Sequence, residues 1–218
     1  MRNDFSAILR RATGEMGIPL GPDETAKLDI YRRELLFWNG KMNLVSLKAP
    51  EDLPVKHIAD SLSALPFIPE AAVGLLDLGA GAGFPGIPLK IVRPRLHLLL
   101  LESSRRKVSF LKTVIRVLAL ENAEAINARA EELSADFRER FDVVISRAAL
   151  KLPEYISIAA PLVRPGGILI AMKGKNPRAE VEEAVRLENR TGTRLDTVRG
   201  WRLPILGNER NIIVLSKR

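Results

Sequence analysis

The chain has 218 residues, 46% of them hydrophobic, and a formal net charge of +8, which fits one folded core and favours a polyanionic partner. No apolar run reaches membrane-spanning length and Met1-Arg2-Asn3-Asp4 does not open a secretory leader, so a cytoplasmic protein is expected. The absence of cysteine excludes disulfides, thiolate metal sites and covalent methyl transfer to pyrimidine C5, which needs a thiol nucleophile; no metal site is expected.

Residues 1–22 are mixed in pattern and end in Pro19, Gly21 and Pro22, which stop a helix. From Asp23, Leu28, Tyr31, Leu35, Trp38 and Met42 recur at threes and fours, predicting a helix that packs one apolar stripe on the main domain. The turn formers of Asn39 to Ser46 break that pattern. A second helix is predicted around Lys56, His57, Asp60 and Ser61, with His57, Asp60 and Ser61 on one face. Hydrogen bonding to Asp60 is the expected, structural role of His57. From Val73 strands and helices alternate, which places a boundary near 72: a helical extension over 1–72 and the main domain over 73–218.

The stretch Leu75 to Ile91, LLDLGAGAGFPGIPLKI, reads as a buried strand ending on Asp77, a tight glycine loop and a helix start. Pro85 suits the first helical position, where its missing N–H costs nothing. Glycines let the backbone take positive φ and admit a ligand close to the main chain, and the helix beyond offers unpaired N–H groups. Gly81-Ala82-Gly83-Phe84-Pro85-Gly86 matches the dinucleotide pattern GxGxxG, with acidic Glu102 near the expected distance. The longer string Asp77-x-Gly79-x-Gly81-x-Gly83 resembles the first motif of class I S-adenosylmethionine (SAM) methyltransferases. In that family the acidic residue sits near the methionine amino end and the glycines pass under the cofactor. On this stretch alone both cofactors, and a bare turn, stay open.

Leu96 to Leu101 is a predicted strand running into Glu102. Ser103 or Ser104 caps a helix that turns Val108, Leu111, Ile115 and Leu118 to the sheet and Arg105, Lys112 and Arg116 to solvent. Further strands follow at Ala123 to Asn127, Phe141 to Ser146 and Ile168 to Lys173, with helices over Leu152 to Val163 and Pro177 to Arg190. Leu195 to Leu203 and Asn211 to Ser216, joined around Gly207-Asn208, form an antiparallel hairpin. Five βα units and a hairpin give an α/β, Rossmann-like, seven-stranded, mostly parallel sheet with helices on both faces. A dehydrogenase would more usually need a second mononucleotide half or a catalytic domain, for which little length remains. Arg147 and Lys173 fall at the carboxyl ends of adjacent central strands, where open α/β sheets place their sites.

The sheet with its final hairpin, Glu102 for the ribose hydroxyls and Leu162-Val163-Arg164-Pro165-Gly166-Gly167 before the fifth strand together resemble class I methyltransferases. The whole chain is similar to one narrower family, the bacterial small-subunit rRNA guanine-N7 methyltransferases, also called glucose-inhibited division protein B. The resemblance rests on Trp38-Asn39, Met42 to Ser46, Lys56 to Leu62, Asp77 to Pro88 and Glu102 to Lys112. It continues through Ala130-Glu131, Ser146-Arg147-Ala148, Met172-Lys173-Gly174 and Arg210-Asn211. It implies transfer from SAM, leaving S-adenosylhomocysteine, to N7 of one guanosine in 16S rRNA or the small ribosomal subunit. It also implies cofactor contacts at Gly79, Phe84, Ala130, Glu131 and Arg147, beside Asp77, Gly81, Gly83 and Glu102 of the general motif. Guanine N7 carries a lone pair and no proton, so no general base is required and catalysis can rest on positioning, with Arg147 and Lys173 as the expected positioning groups. Ser146-Arg147-Ala148 stands where exocyclic-amine methylases carry Asp/Asn-Pro-Pro-Tyr/Phe, which argues against that chemistry. A monomer acting on RNA and not on DNA is expected; the competing readings are a non-catalytic RNA-binding or assembly protein and a nicotinamide-dependent oxidoreductase.

Overall fold

The computed structural model describes residues 2–49, 51–133, 135–147 and 150–218; Met1 and Ala148, on which two of the readings above lean, lie outside them. The chain opens on a helix that the sequence reading did not anticipate, α1 (Arg2–Glu15). Pro19, Gly21 and Pro22 all lie beyond its end, Pro22 opening the next helix, and Phe5, Leu9 and Ala12 bury one face of it. In α2 (Pro22–Met42) Pro22 occupies the first turn, where no N–H is needed, and Asp23 and Glu24 sit at the positive end of the helix dipole. Leu28, Tyr31 and Leu35 are buried, and Trp38 meets Phe110 edge-on at 5.9 Å. The helix runs through Asn39 and Gly40 and closes on Asn43 in the left-handed region, φ 49°.

Asp52–Ala59 is a π-helix, continued by α3 (Asp60–Leu62). Its entry is held by the Asp52 carboxylate, which accepts from the N–H groups of Lys48 at 2.6 Å and Ala49 at 3.1 Å. Hydrogen bonds to the charged form keep the Asp52 pKa below the usual carboxylate range.

The sheet is built from β1 (Gly74–Leu78), β2 (His97–Glu102), β3 (Ala123–Asn127), β4 (Phe141–Arg147), β5 (Val163–Lys173), β6 (Thr193–Arg202) and β7 (Glu209–Lys217). Its spatial order is β3-β2-β1-β4-β5-β7-β6. The first five strands pair in parallel, and β7 runs antiparallel to both β5 and β6. α4 (Gly86–Val92) and α5 (Arg105–Val117) follow β1 and β2; α6 (Leu152–Ala159) follows β4. Only short 3-10 turns follow β3. The helix predicted over Pro177 to Arg190 is two pieces, α7 (Arg178–Val185) and α8 (Glu188–Thr191). Strand order reverses between β1 and β4, so the connections that leave their carboxyl ends run to opposite sides and open a crevice, where such sheets bind ligands.

Two apolar layers clamp the sheet. On one face α1, α2 and the 52–62 segment share a continuous cluster with α4 and α5, in which Leu9, Leu35 and Ile58 join Ile87, Phe110 and Ile170. The other face packs Tyr155 and Ile156 of α6 with Ala184 of α7 against Leu76, Val144 and Leu215. The core runs unbroken across residue 72, so the N-terminal helices form a layer over the carboxyl side of the crevice.

Candidate active site

Asp77 is the next-to-last residue of β1 and has no solvent exposure. Its Oδ2 accepts the Gly86 N–H at 2.8 Å, while Oδ1 is buried without a hydrogen-bond partner. Burial raises its pKa to about 7 against the Gly86 N–H and Arg147, and nearby Glu102 pushes the same way. Because this carboxylate already satisfies the first donor of α4, the helix starts at Gly86, and Pro85 stands one place earlier than expected, at the N-cap position. Gly79, Gly81 and Gly83 all have positive φ, at 77°, 57° and 93°. A Cβ on Gly83 would lie 2.6 Å from Ile87 Cγ1, whereas one on Gly81 would meet nothing nearer than the Gly79 carbonyl at 3.9 Å. Gly83 is therefore required by packing, and Gly81 presents bare backbone to open space. The Tyr31 hydroxyl, from α2, donates to the Ala82 carbonyl.

Glu102, at the end of β2, accepts from the Gly81 N–H at 2.9 Å and the Ser104 N–H at 2.8 Å. It thus ties the glycine loop to the start of α5. Ala130 and Glu131 lie on the 3-10 turn after β3. They line a separate hollow with Arg138 and Ile158 and are not brought into the cavity that holds Arg147.

Arg147 ends β4, and its guanidinium lies 4.9 Å over the Phe84 ring. It donates to the Lys56 carbonyl at 3.2 Å and to Asp60 Oδ2 at 3.3 Å, and its NH2 faces His57 Nδ1 at 3.1 Å. The other Asp60 oxygen takes Arg210 Nε, from β7, at 3.2 Å. The expected His57–Asp60 hydrogen bond is therefore not made. The π winding of residues 52–59 alters the angular offset that an α-helix would give, and both Asp60 oxygens are taken by guanidinium groups, stronger partners than a neutral imidazole. Burial, then Arg147, lower the His57 pKa to about 4 against the backbone of Ser46. The ring is neutral near pH 7; Nδ1 facing a guanidinium acts as acceptor, which assigns the proton to Nε2. Nε2 is buried with no hydrogen bond of good geometry. Asp60 is 3% exposed, and burial raises its pKa despite both arginines.

Lys173, at the end of β5, is committed to Glu180 at 2.8 Å and the Leu150 carbonyl at 2.5 Å. Lys173, Arg147, His57, Asp60 and Arg210 line a cavity of about 330 Å3 together with Met172, Trp201 and Ile212. The sequence assigns Asp60 only as a partner of His57 and gives Arg210 no role beyond the family resemblance. The signal was their presence in two stretches of family resemblance, but 150 positions separate them and no spacing rule joins them.

The arrangement is thus a glycine loop between two buried carboxylates, opening beside a cavity rich in guanidinium donors. Residues 24–211 match the family described as rRNA small subunit methyltransferase G. The Ribosomal RNA small subunit methyltransferase G of Syntrophus aciditrophicus is 43% identical over 96% of this chain and 88% of its own length. That of Myxococcus xanthus is 40% identical over 93% and 92%. Among solved structures, P. horikoshii TYW2 in complex with MeSAdo superposes with a TM-score of 0.60 at 14% identity, covering 78% of this chain and 63% of that one. This last likeness is one of fold.

Proposed function

The chain belongs to the rRNA small subunit methyltransferase G family, and from that premise we propose that it methylates N7 of one guanosine in 16S rRNA, using SAM. Bound SAM supplies an electrophilic methyl group on a sulfonium. The observation that carries the reading is the loop itself: Gly81 bare to open space, Asp77 with one buried oxygen unpartnered, and Glu102 at the tip of the next strand. The Asp77 carboxylate suits a ligand ammonium, and that of Glu102 can accept from a pair of ribose hydroxyls. Gly79, Gly81 and Gly83 form the floor, with Phe84 behind it; Ala130 and Glu131 belong to the proposed cofactor side through family resemblance.

Nothing in the reaction asks for a proton acceptor, and the cavity offers none suited to it. Burial and Arg147 make His57 a weak base whose Nδ1 already faces Arg147, and Asp60 is occupied by two arginines. Arg147 instead offers fixed positive charge beside Phe84, at the boundary between loop and cavity, and orients what enters there. Lys173 has the weaker claim, since its ammonium is held by Glu180; its proposed part is to set the β5 wall. Among the described residues no helix is long and apolar enough to cross a membrane. The proposed setting is the cytoplasm, with a monomer acting on RNA and not on DNA.

Methylation at N7 leaves a fixed positive charge on the purine and so makes the site sensitive to borohydride and aniline. Unmethylated small subunits treated with enzyme and SAM should gain one such cleavage site. Arg147→Ala should abolish it in folded protein; His57→Ala should retain part of it. Methyl transfer without a cleavage site, or loss of turnover in His57→Ala with normal SAM and RNA affinity, would overturn the N7 assignment.

A further inference from the structure

The cavity at the ends of β4, β5 and β7 has a mixed lining. Met172 and Ile212 are buried and apolar, Trp201 is half-buried, and two guanidinium groups share the Asp60 carboxylate between them. Trp201, Arg210 and Asn211 also line an open groove that carries Lys175 and Arg202. The cavity and the groove therefore adjoin, sharing three wall residues. Of the buried polar side-chain atoms without a hydrogen bond among the described residues, two belong to residues lining this cavity, His57 Nε2 and Trp201 Nε1.

We propose that this cavity seats the methyl-accepting base once it leaves its stack, with Trp201 as the stacking wall and Arg210 as the donor that reads O6. The inference rests on the guanine-N7 reading given above. On the edge that carries N7, guanine shows O6, an acceptor, where adenine shows an amino donor. A guanidinium N–H at that place accepts guanine and rejects adenine, while leaving N7 free. Arg147 is the poorer reader, for its two terminal nitrogens are engaged by Lys56, Asp60 and His57. Arg210 is anchored through Nε to Asp60 and through NH1 to the Glu209 carbonyl; its NH2 makes no hydrogen bond among the described residues. Asp60 is the positioning residue that fixes the fork. The RNA backbone follows the groove past Lys175 and Arg202, and the base turns in beside the Trp201 ring, since stacking on an aromatic wall tolerates a base out of its duplex.

The test uses small subunits from a strain lacking this modification, with the full-length protein and labelled SAM. Arg210→Ala and Trp201→Ala should each lower kcat/KM for the subunit by roughly tenfold or more, with SAM affinity within about twofold of wild type. Trp201→Phe should restore most of the loss. Arg210→Lys should not restore it, because a lysine keeps the charge opposite Asp60 but lacks the planar fork. Arg194→Ala, which removes an exposed charge far along the same strand β6 as Trp201, should leave turnover unchanged. Full rescue by Arg210→Lys would mean that only Asp60 pairing matters and would overturn the proposal. So would an equal loss in Arg194→Ala, which would make the effect one of bulk charge, or wild-type turnover in Arg210→Ala and Trp201→Ala. Failure of the wild-type protein to methylate the subunit at all would instead remove the functional reading beneath it.

Discussion

Asp77 places a carboxylate where it cannot be solvated, and its titration follows from that. Burial holds its pKa at about 7 against an ordinary value of 3.8, so the folded chain binds this proton more tightly than the unfolded chain does. Its contribution to stability is complete below the unfolded value and is lost as pH rises from about 4 through about 7, on the order of 4 kcal/mol in all. Without cofactor, thermal melts of Asp77→Asn should lack this loss, so that the variant melts above wild type at pH 8 while the gap closes near pH 4. The same variant should bind SAM at least about tenfold more weakly, since a neutral amide no longer attracts an ammonium. Parallel melting curves for the two proteins across that range would refute the assignment. At this scale the glycines, Asp77 and Glu102 were legible in the sequence because one strand and one loop hold all but Glu102, and a familiar interval separates that residue. Asp60 and Arg210 were not legible as a pair, because their meeting depends on β7 inserting beside β5. His57 was given the wrong partner for a related reason: an i, i+3 rule assumes α-helical winding, and residues 52–59 are wound as a π-helix.

At the scale of elements, α2 supports the glycine loop through a single side chain. Tyr31 is fully buried, meets Phe84 at 5.4 Å between ring centroids and donates its hydroxyl to the Ala82 carbonyl. Tyr31→Phe keeps the ring and removes the donor, leaving a buried carbonyl without its partner. Denaturant unfolding should show a loss of about 1–3 kcal/mol, and SAM affinity should fall as the loop loosens; unchanged stability would mean that water replaces the hydroxyl. The apolar stripe of α2 was plain from its spacing, yet its use as a buttress for the loop was not, since a stripe does not say which surface it meets. α1 was missed although Phe5, Leu9 and Ala12 stand at helical intervals, because the breakers after it dominated the reading of residues 1–22. Its apolar face belongs to the main core, so its removal would open that core. Ala130 and Glu131, on the 3-10 turn after β3, line a hollow separate from the Arg147 cavity, a separation set by the sheet and not readable from spacing.

For the molecule as a whole, the net charge of +8 becomes specific through its placement. Lys175 and Arg202 line the groove that adjoins the cavity, and Arg202 pairs with Glu209 at 3.7 Å on an exposed surface, a pairing of little strength. Binding to rRNA should weaken with salt, the logarithm of affinity falling by about 0.7 per single-strand phosphate neutralised. The double substitution of Lys175 and Arg202 by Ala should shallow that slope by about one to two units without altering SAM affinity. An unchanged slope would move the RNA path elsewhere. The sheet order was legible in outline, since alternating strands and helices with a closing hairpin admit few arrangements. The position of β7 between β5 and β6 has a consequence in time. Translation delivers the parallel strands and β6 first, yet β6 joins the sheet only when β7 pairs with β5 on one side and β6 on the other. Until then β5 presents an open edge, a template for mispairing with other chains. The same late strand brings Arg210, Asn211 and Ile212 to the cavity. A product cut short before β7 should therefore be both inert and prone to aggregate: the step that silences the dangerous edge is also the step that completes the wall of the proposed base cavity.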